Sequence, residues 1–415
     1  MGNDVLGRGR ILAWSGVLLI AELLTLAFIT AGTHGLIVTL DRPASTDFVS
    51  FYAAGALADA GTPALAYHAA EHYAAEQQAT QAGIGYVLFF YPPVFLLLCA
   101  PLARLPYLAA FLVFAGLTLA PYLLVLQRVV GERGWAVMLP GLAFPAVLWS
   151  IGIGQNALLT ASLFGAATLL LDRRPAMAGL LFGALCYKPH LGLLVPVALA
   201  AGGHWRSFVA AGASALGLVL LSVVAFGVQT WHDFFAAFAG SPEIYQSGQV
   251  TFTAMVSVFG AARLLGLAPA AAYAAQGVAA LLAAGFVAVV WRRRPSLPLR
   301  AASLIAATLE AVPLLLFYDL VLACVAIAWL VREARAAGYL PGEKLVFGGI
   351  FLVPLISRSA ASGFTVPIGP LAGAALIGLV MVHLRTQRPG ERRRLGASGR
   401  SVAPLHGGLT IMWDG

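Results

Sequence analysis

Residues 176–203 read AMAGLLFGALCYKPHLGLLVPVALAAGG, an apolar stretch interrupted once by polar residues, at Lys188-Pro189-His190. As one helix it crosses a bilayer once. As two short helices, separated at a proline that cannot continue a helix, it crosses twice. The side of every later loop depends on the choice. With two helices here and the N-terminus inside, twenty of the 25 Lys and Arg fall on one side. They are Arg8, Arg10, Arg128, Arg133, Arg173, Arg174, Arg206, Arg292 to Arg294, Arg300, Arg332, Arg335, Lys344, Arg385, Arg388, Arg392 to Arg394 and Arg400. Arg42, Arg104, Lys188, Arg263 and Arg358 are left for the other side. That asymmetry is how membrane helices are oriented. A single helix at 176–203 destroys it, so two short helices are expected.

The composition agrees. The chain has 415 residues, 60% hydrophobic and 10% charged, against about a quarter charged in soluble domains. Its mean hydropathy is +0.88. A net charge of +8 raises nucleic acid as a partner. The arginines, however, lie in short clusters between apolar runs, so no nucleic-acid partner is expected. Cys99, Cys186 and Cys324 sit in apolar stretches without metal-ligand spacing and read as small buried hydrophobes. The N-terminal run is too long for a signal-peptide core of about 7–15 residues and reads as a retained first helix.

Apolar runs predict about twelve spans on a window argument: 11–37, 107–127, 135–149, 155–171, 176–187, 191–203, 207–228, 269–291, 299–312, 314–331, 345–356 and 368–384. Several are shorter than the ~20 residues a perpendicular helix needs, so neighbours or a cavity must shield them. The run 87–103 contains Pro92-Pro93 and is expected to dip into the membrane without crossing. The fold class is therefore all-α and polytopic.

The charge-poor side carries a long loop, 41–85, in which Asp41, Asp47, Asp59, Glu71 and Glu76 face one arginine. Short helices are expected at 48–60 and 66–81, the second suited to a membrane surface. A second outer stretch, 229–267, is rich in aromatic and polar side chains. Residues 385–415 are Arg-, Gly- and Ser-rich and read as a basic, disordered tail that can hold anionic lipid.

Five places could carry chemistry. Asp47, in Ser45-Thr46-Asp47-Phe48-Val49-Ser50-Phe51-Tyr52, reads either as a helix N-cap or as a general base at a wet cavity. Tyr91-Pro92-Pro93 reads as a stiff cavity wall or a plain turn. Gly152-Ile153-Gly154-Gln155-Asn156 permits close backbone approach and presents two amides to a sugar or phosphate, or is a capped helix turn. In Tyr187-Lys188-Pro189-His190, an ammonium inside an apolar stretch suits a phosphate, with His190 beside it. The alternative is a snorkelling lysine. Tyr318-Asp319 reads as a cap or a cavity carboxylate. Arg104 and Arg358 are isolated outer cations able to bind an anion, and Tyr52 is a further candidate for the cavity lining. Glu22 and Glu310 fall inside apolar runs and read as proton-relay groups or as hydrogen-bonded packing residues.

The acidic aromatic run, the long outer loop, Tyr91-Pro92-Pro93, Gly152-x-Gly154-Gln155-Asn156, Arg173-Arg174-Pro175, Ala178-Gly179 and Lys188-Pro189 together resemble glycosyltransferase family 87, from about residue 47 to 191 and again at Tyr318-Asp319. The family's Ser-Pro ahead of that last point is Val312-Pro313 here, which leaves open whether Tyr318 and Asp319 take part. The resemblance implies membrane mannosyltransferases of the C-type fold. Residues 1–384 would form one transmembrane domain, with 41–106 the first outer loop and 385–415 a cytoplasmic tail.

The implied setting is the bacterial inner membrane, with both termini cytoplasmic and the active site on the periplasmic face. The implied donor is a polyprenyl-phosphate-linked sugar, commonly mannose, and the acceptor a glycolipid or glycan, with membrane lipid as the surroundings. Asp47 matches the family's catalytic acidic position. Lys188 matches its Lys-Pro and would meet the donor phosphate, with His190, Gln155 and Asn156 binding the donor nearby. The resemblance implies inversion to an α-glycoside without a metal cofactor. The rival expectations are a secondary transporter or lipid-linked sugar flippase, and a structural subunit of an envelope-assembly complex.

Overall fold

The computed structural model describes residues 7–31, 33–34, 37–39, 43–44, 46–239 and 251–386. The expected tail 385–415 lies outside them from 387 on, its first two residues ending the last helix, and so do Asp41, Arg42 and residues 240–250 of the second outer stretch.

The first helix, α1 (Arg8–Ala31), ends sooner than the run 11–37 implied. β1 (Thr33–His34), β2 (Ile37–Thr39) and β3 (Pro43–Ala44) come next as a small antiparallel ribbon. Ile37-Val38-Thr39 is β-branched throughout and favours extended backbone. The remaining regular elements are helical. The outer loop holds α2 (Phe48–Asp59), a 3-10 turn at Pro63–Tyr67 and α3 (Ala69–Ala79). The inward side of α3 is not apolar: His72 and Glu76 are fully buried there. The dipping run becomes a 3-10 turn at Pro93–Phe95 and α4 (Leu96–Ala103), too short to cross, packed against α2 where Gly55 meets the Cys99 carbonyl.

From there α5 (Tyr107–Val130) runs down the molecule and ends on Gly131 in the left-handed region. It is succeeded by α6 (Trp135–Leu142), α7 (Pro145–Ile153) and α8 (Ala157–Leu170). The sequence 176–203 is indeed two short helices, α9 (Pro175–Gly183) and α10 (Val195–Gly202), joined through 3-10 turns at Ala184–Tyr187 and Pro189–Gly192 with Lys188 between them. α11 (Trp205–Ala239) is broken at Gly227. It lies against α9, where Gly179 and Gly183 face Ser207 and Ala211 backbone in the small-residue packing that membrane helices use.

The rest is α12 (Val258–Leu264), α13 (Pro269–Arg293), α14 (Leu297–Ala311), a 3-10 turn at Phe317–Leu320, α15 (Val321–Ala337), α16 (Glu343–Phe364) and α17 (Leu371–Thr386). α14 and α15 are buried on almost every side and form the core with α8 and α13. Two buried indoles find partners there: Trp291 donates to the Arg300 carbonyl at 3.1 Å and Trp329 to Thr168 Oγ1 at 3.2 Å.

By length and composition, five described helices can cross a bilayer: α1, α5, α11, α13 and α16. The pair α6–α7, bent by 62°, makes a sixth if it is one span. The expected twelve does not stand on helix length. The other runs form shorter helices such as α8, α14 and α17, shielded by the long ones.

Charge is sorted along the bundle. At one end Glu132, just past α5, pairs with Arg8 of α1 at 2.5 Å and with Arg335 of α15 at 2.8 Å, and Arg300 pairs with Asp172 at 2.6 Å. At the other end of α5, Tyr107 reaches Thr46 Oγ1 at 3.2 Å, beside Asp47. The rise along α5 separates these ends by ~35 Å.

Candidate active site

The site begins with a close approach. Gly154 ends α7 with φ +71°, and a Cβ there would collide with the side chain of Phe48. A glycine alone combines that backbone with that contact. It brings the start of α2 onto the turn that carries Gln155 and Asn156. Asp47 occupies the N-cap position of α2 but makes no side-chain capping bond. Its carboxylate instead accepts from Gln155 Nε2 at 2.6 Å, and the Tyr91 hydroxyl donates to Gln155 Oε1 at 3.2 Å. The cap reading therefore fails for the side chain, although it holds for the backbone position. Asp47 is half-buried, whereas Gln155 and Asn156 are buried. Burial raises the Asp47 carboxyl above its ordinary value. The Gln155 hydrogen bond and the positive charges of Arg358 and Lys188 pull it back.

Lys188 enters at the tip of the α9–α10 hairpin. Only 4% exposed, its ammonium is 2.5 Å from Asp319 Oδ1 and 5.4 Å from the Tyr318 ring centroid. Asp319 Oδ2 also accepts the Leu316 N–H at 3.3 Å. The lysine is thus partnered, not snorkelling. An ammonium has three donors, and Asp319 takes one. Tyr187 packs its hydroxyl on Thr160 Oγ1 at 2.6 Å, which ties the hairpin to the first turn of α8. Neither amide atom of Asn156, nor Nε2 of His190, has a hydrogen-bond partner among the described residues. Such orphaned buried groups are what a polar ligand satisfies.

Arg358 is exposed and lies over the Phe317 ring, 5.7 Å from its centroid, where Phe317 also meets Trp149 edge-on. It makes no ion pair among the described residues, and its charge reaches Asp47. Among the described residues it is a cation beside Asp47 that no carboxylate pairs.

The structure therefore brings Asp47, Tyr91, Gln155, Asn156, Lys188, Tyr318, Asp319 and Arg358 to one place. Two candidates lie elsewhere. Arg104 pairs with Asp59 at 2.7 Å on the surface, at the far end of α2. Tyr52 donates its hydroxyl to the Leu105 carbonyl at 2.9 Å within a cluster with Phe48 and Tyr107. Sequence reasoning missed Thr160 and Tyr187, although Tyr187 adjoins Lys188 and Thr160 lies one turn beyond Asn156. It also missed His72. The i,i+4 spacing of His72 and Glu76 was the available signal; their nearest atoms are 3.7 Å apart, and His72 Nε2 lies 3.1 Å from the Ser50 carbonyl beneath Asp47.

A half-buried carboxylate held by an amide can take a proton, and the neighbouring cations can meet an anion. Among the described residues no group of three or more His, Cys, Asp or Glu gathers with metal-binding geometry. The comparison with known families is specific: the chain belongs to glycosyltransferase family 87, whose family model matches residues 89–318. It is a membrane glycosyltransferase. The match begins beyond Asp47 and ends at Tyr318, so it spans the stretch between the motif run that closes near residue 191 and Tyr318-Asp319. No curated protein and no solved structure matches the chain.

Proposed function

We propose that the protein transfers a hexose, mannose in the first instance, from a polyprenyl-phosphate-linked donor to a glycolipid or glycan acceptor on the outer face of the bacterial inner membrane, within a C-type glycosyltransferase fold. The observation that carries this reading is that the Asp47 carboxylate, held by Gln155, lies within reach of the charge of Lys188, itself paired with Asp319, at the end of the bundle away from the Arg8–Glu132–Arg335 group.

Asp47 accepts the proton of the acceptor hydroxyl as that oxygen bonds to the anomeric carbon. The bond from that carbon to the phosphate oxygen breaks, and the electron pair leaves with the polyprenyl phosphate. The attack inverts a β-linked donor to an α-glycoside. The leaving group is a stable anion and needs no proton. Arg358 at the rim and the two remaining N–H donors of Lys188 meet the charge that grows on it. Asp319 fixes the ammonium, and Asn156 and His190 offer unspent polar atoms to the donor.

The test is incubation of the purified chain with a panel of polyprenyl-phosphate sugars and candidate acceptors, with products identified by mass spectrometry and the anomer by NMR. Consumption of the mannosyl donor with an α-linked product is expected. Movement of the lipid-linked sugar across liposomes without cleavage would replace this reading with a flippase.

A further inference from the structure

The break at Gly227 divides α11 into two parts. Residues 205–226 rise ~32 Å, which uses up the ~30 Å hydrocarbon core. Their exposed side is apolar, with Val209, Leu216, Leu220, Leu221 and Val224. Gly227, at φ +80° and ψ +161°, turns the chain in a backbone conformation open only to glycine. Residues 228–239 therefore start at a bilayer surface. It is the surface at the Asp47 end, because the Phe234 ring packs on Tyr67 at 5.6 Å and His68 Nε2 lies 3.0 Å from Asp233 Oδ2.

This second part is two-sided. At 3.6 residues per turn, Val228, Trp231, Phe234, Phe235 and Phe238 share one arc, and Gln229, Thr230, His232, Asp233 and Ala236 the other. Trp231 and Phe234 turn onto the protein: the Trp231 indole donates to Ser222 Oγ at 3.2 Å, and Phe234 is buried. Val228, Phe235 and Phe238 are left outside, the two rings 60% and 58% exposed. They continue the apolar strip of 205–226, which faces acyl chains in a spanning helix. Lipid therefore reaches this face without any further partner. No Lys or Arg occurs in 228–239, so the fit is to acyl chains beneath headgroups of either charge.

We propose that residues 228–239 lie in the bilayer surface at the Asp47 end, with Val228, Phe235 and Phe238 among the lipid chains and Gln229 and Ala236 toward water. The segment also sets the depth of the site. Tyr67 donates its hydroxyl to the Tyr91 carbonyl at 2.9 Å, and Tyr91 in turn holds Gln155, the partner of Asp47. The proposal is independent of the transfer chemistry.

Phe238→Cys and Ala236→Cys, ~200° apart on the helix, are each made in the full chain with Cys186→Ser, which removes the native cysteine that is not buried. Each is labelled with a nitroxide and reconstituted in phosphatidylcholine nanodiscs. Collisions with oxygen, which concentrates among acyl chains, and with a soluble nickel chelate are compared by EPR. The oxygen-to-nickel ratio is expected to be about tenfold higher at 238 than at 236. Added phosphatidylglycerol should leave it unchanged. Nickel dominating at 238 would put the segment in water, and a label there that meets neither reagent would mean that protein covers the face; either overturns the proposal, as does a ratio that depends on the anionic lipid. Hydroxyl-radical footprinting of the wild-type chain in the same nanodiscs avoids the substitutions: Phe235 and Phe238 should stay unmodified while the exposed His68 is oxidised, and oxidation of the two rings at a rate like that of His68 also overturns it.

Discussion

The Lys188 ammonium and the Asp319 carboxylate stand 2.5 Å apart across 131 residues of sequence, with their side chains 5% and 2% exposed. The pair is close to neutral as a unit, so removing one member strands a buried charge. Asp319→Ala is expected to cost about 3–5 kcal/mol, seen as a lower melting temperature of the solubilised protein. The double variant Lys188→Met, Asp319→Leu should recover most of that stability and remain inactive. Recovery of transfer in the double variant would show that the pair is only a structural strut.

Asp47→Asn is expected to melt like wild type and to lose about 10²–10⁴-fold in turnover, the range for a general base. The pH profile gives a second readout. Burial raises this carboxyl above its ordinary 3.8, so activity falls as pH drops through a value above that. The Gln155 amide donates to the ionised form and holds the value down. Gln155→Leu therefore moves the acid limb to higher pH, and a shift to lower pH would contradict the assigned contact.

Gly154→Ala places a Cβ on Phe48 and puts an alanine at φ +71°. The strain amounts to about 1–3 kcal/mol, and the start of α2 must move. Turnover should fall by more than the stability loss accounts for, because Asp47 leaves Gln155. Arg104→Ala is the control: an exposed pair contributes about 0–1 kcal/mol, and transfer should be unchanged.

The α3 pair makes the outer loop sensitive to pH. Burial raises Glu76 from 4.5 to about 8, opposed by the Val87 N–H and reinforced by the charge of Asp47. Its contribution to stability is whole below 4.5 and is lost as pH rises through about 8. Burial lowers His72 from 6.5 to about 4, opposed by its bond to the Ser50 carbonyl. That contribution is whole above 6.5 and is lost as pH falls through about 4. Glu76→Gln should therefore protect 69–79 from proteolysis above pH 8, and the advantage should vanish below pH 4.5.

Much of the architecture was legible in the sequence, because lipid imposes few solutions. The break at Lys188 was implied by charge sorting alone, and short helices were expected in the outer loop at 48–60 and 66–81, close to where α2 and α3 fall. The span count was not legible, since an apolar run does not distinguish a crossing helix from one such as α14 that the others enclose. In the site, residue type marked Asp47, Gln155 and Lys188. The pairing of Lys188 with Asp319 was hidden, because nothing in a linear pattern brings a hairpin tip to a 3-10 turn so far along the chain. Arg104 misled because an isolated cation in the sequence had found Asp59 in space.

Both legs of the α9–α10 hairpin return to the same end of the bundle. Pro175 is held there through the Ser207 hydroxyl at 2.8 Å, and Gly203 lies beside Arg294. The height of Lys188 is therefore set by leg length. Inserting one residue into either leg rotates the hairpin tip by about 100° and lifts it ~1.5 Å, which carries the ammonium away from its carboxylate. Length drift in this family member should be confined to the surface connections, and those two legs should behave like the teeth of a key.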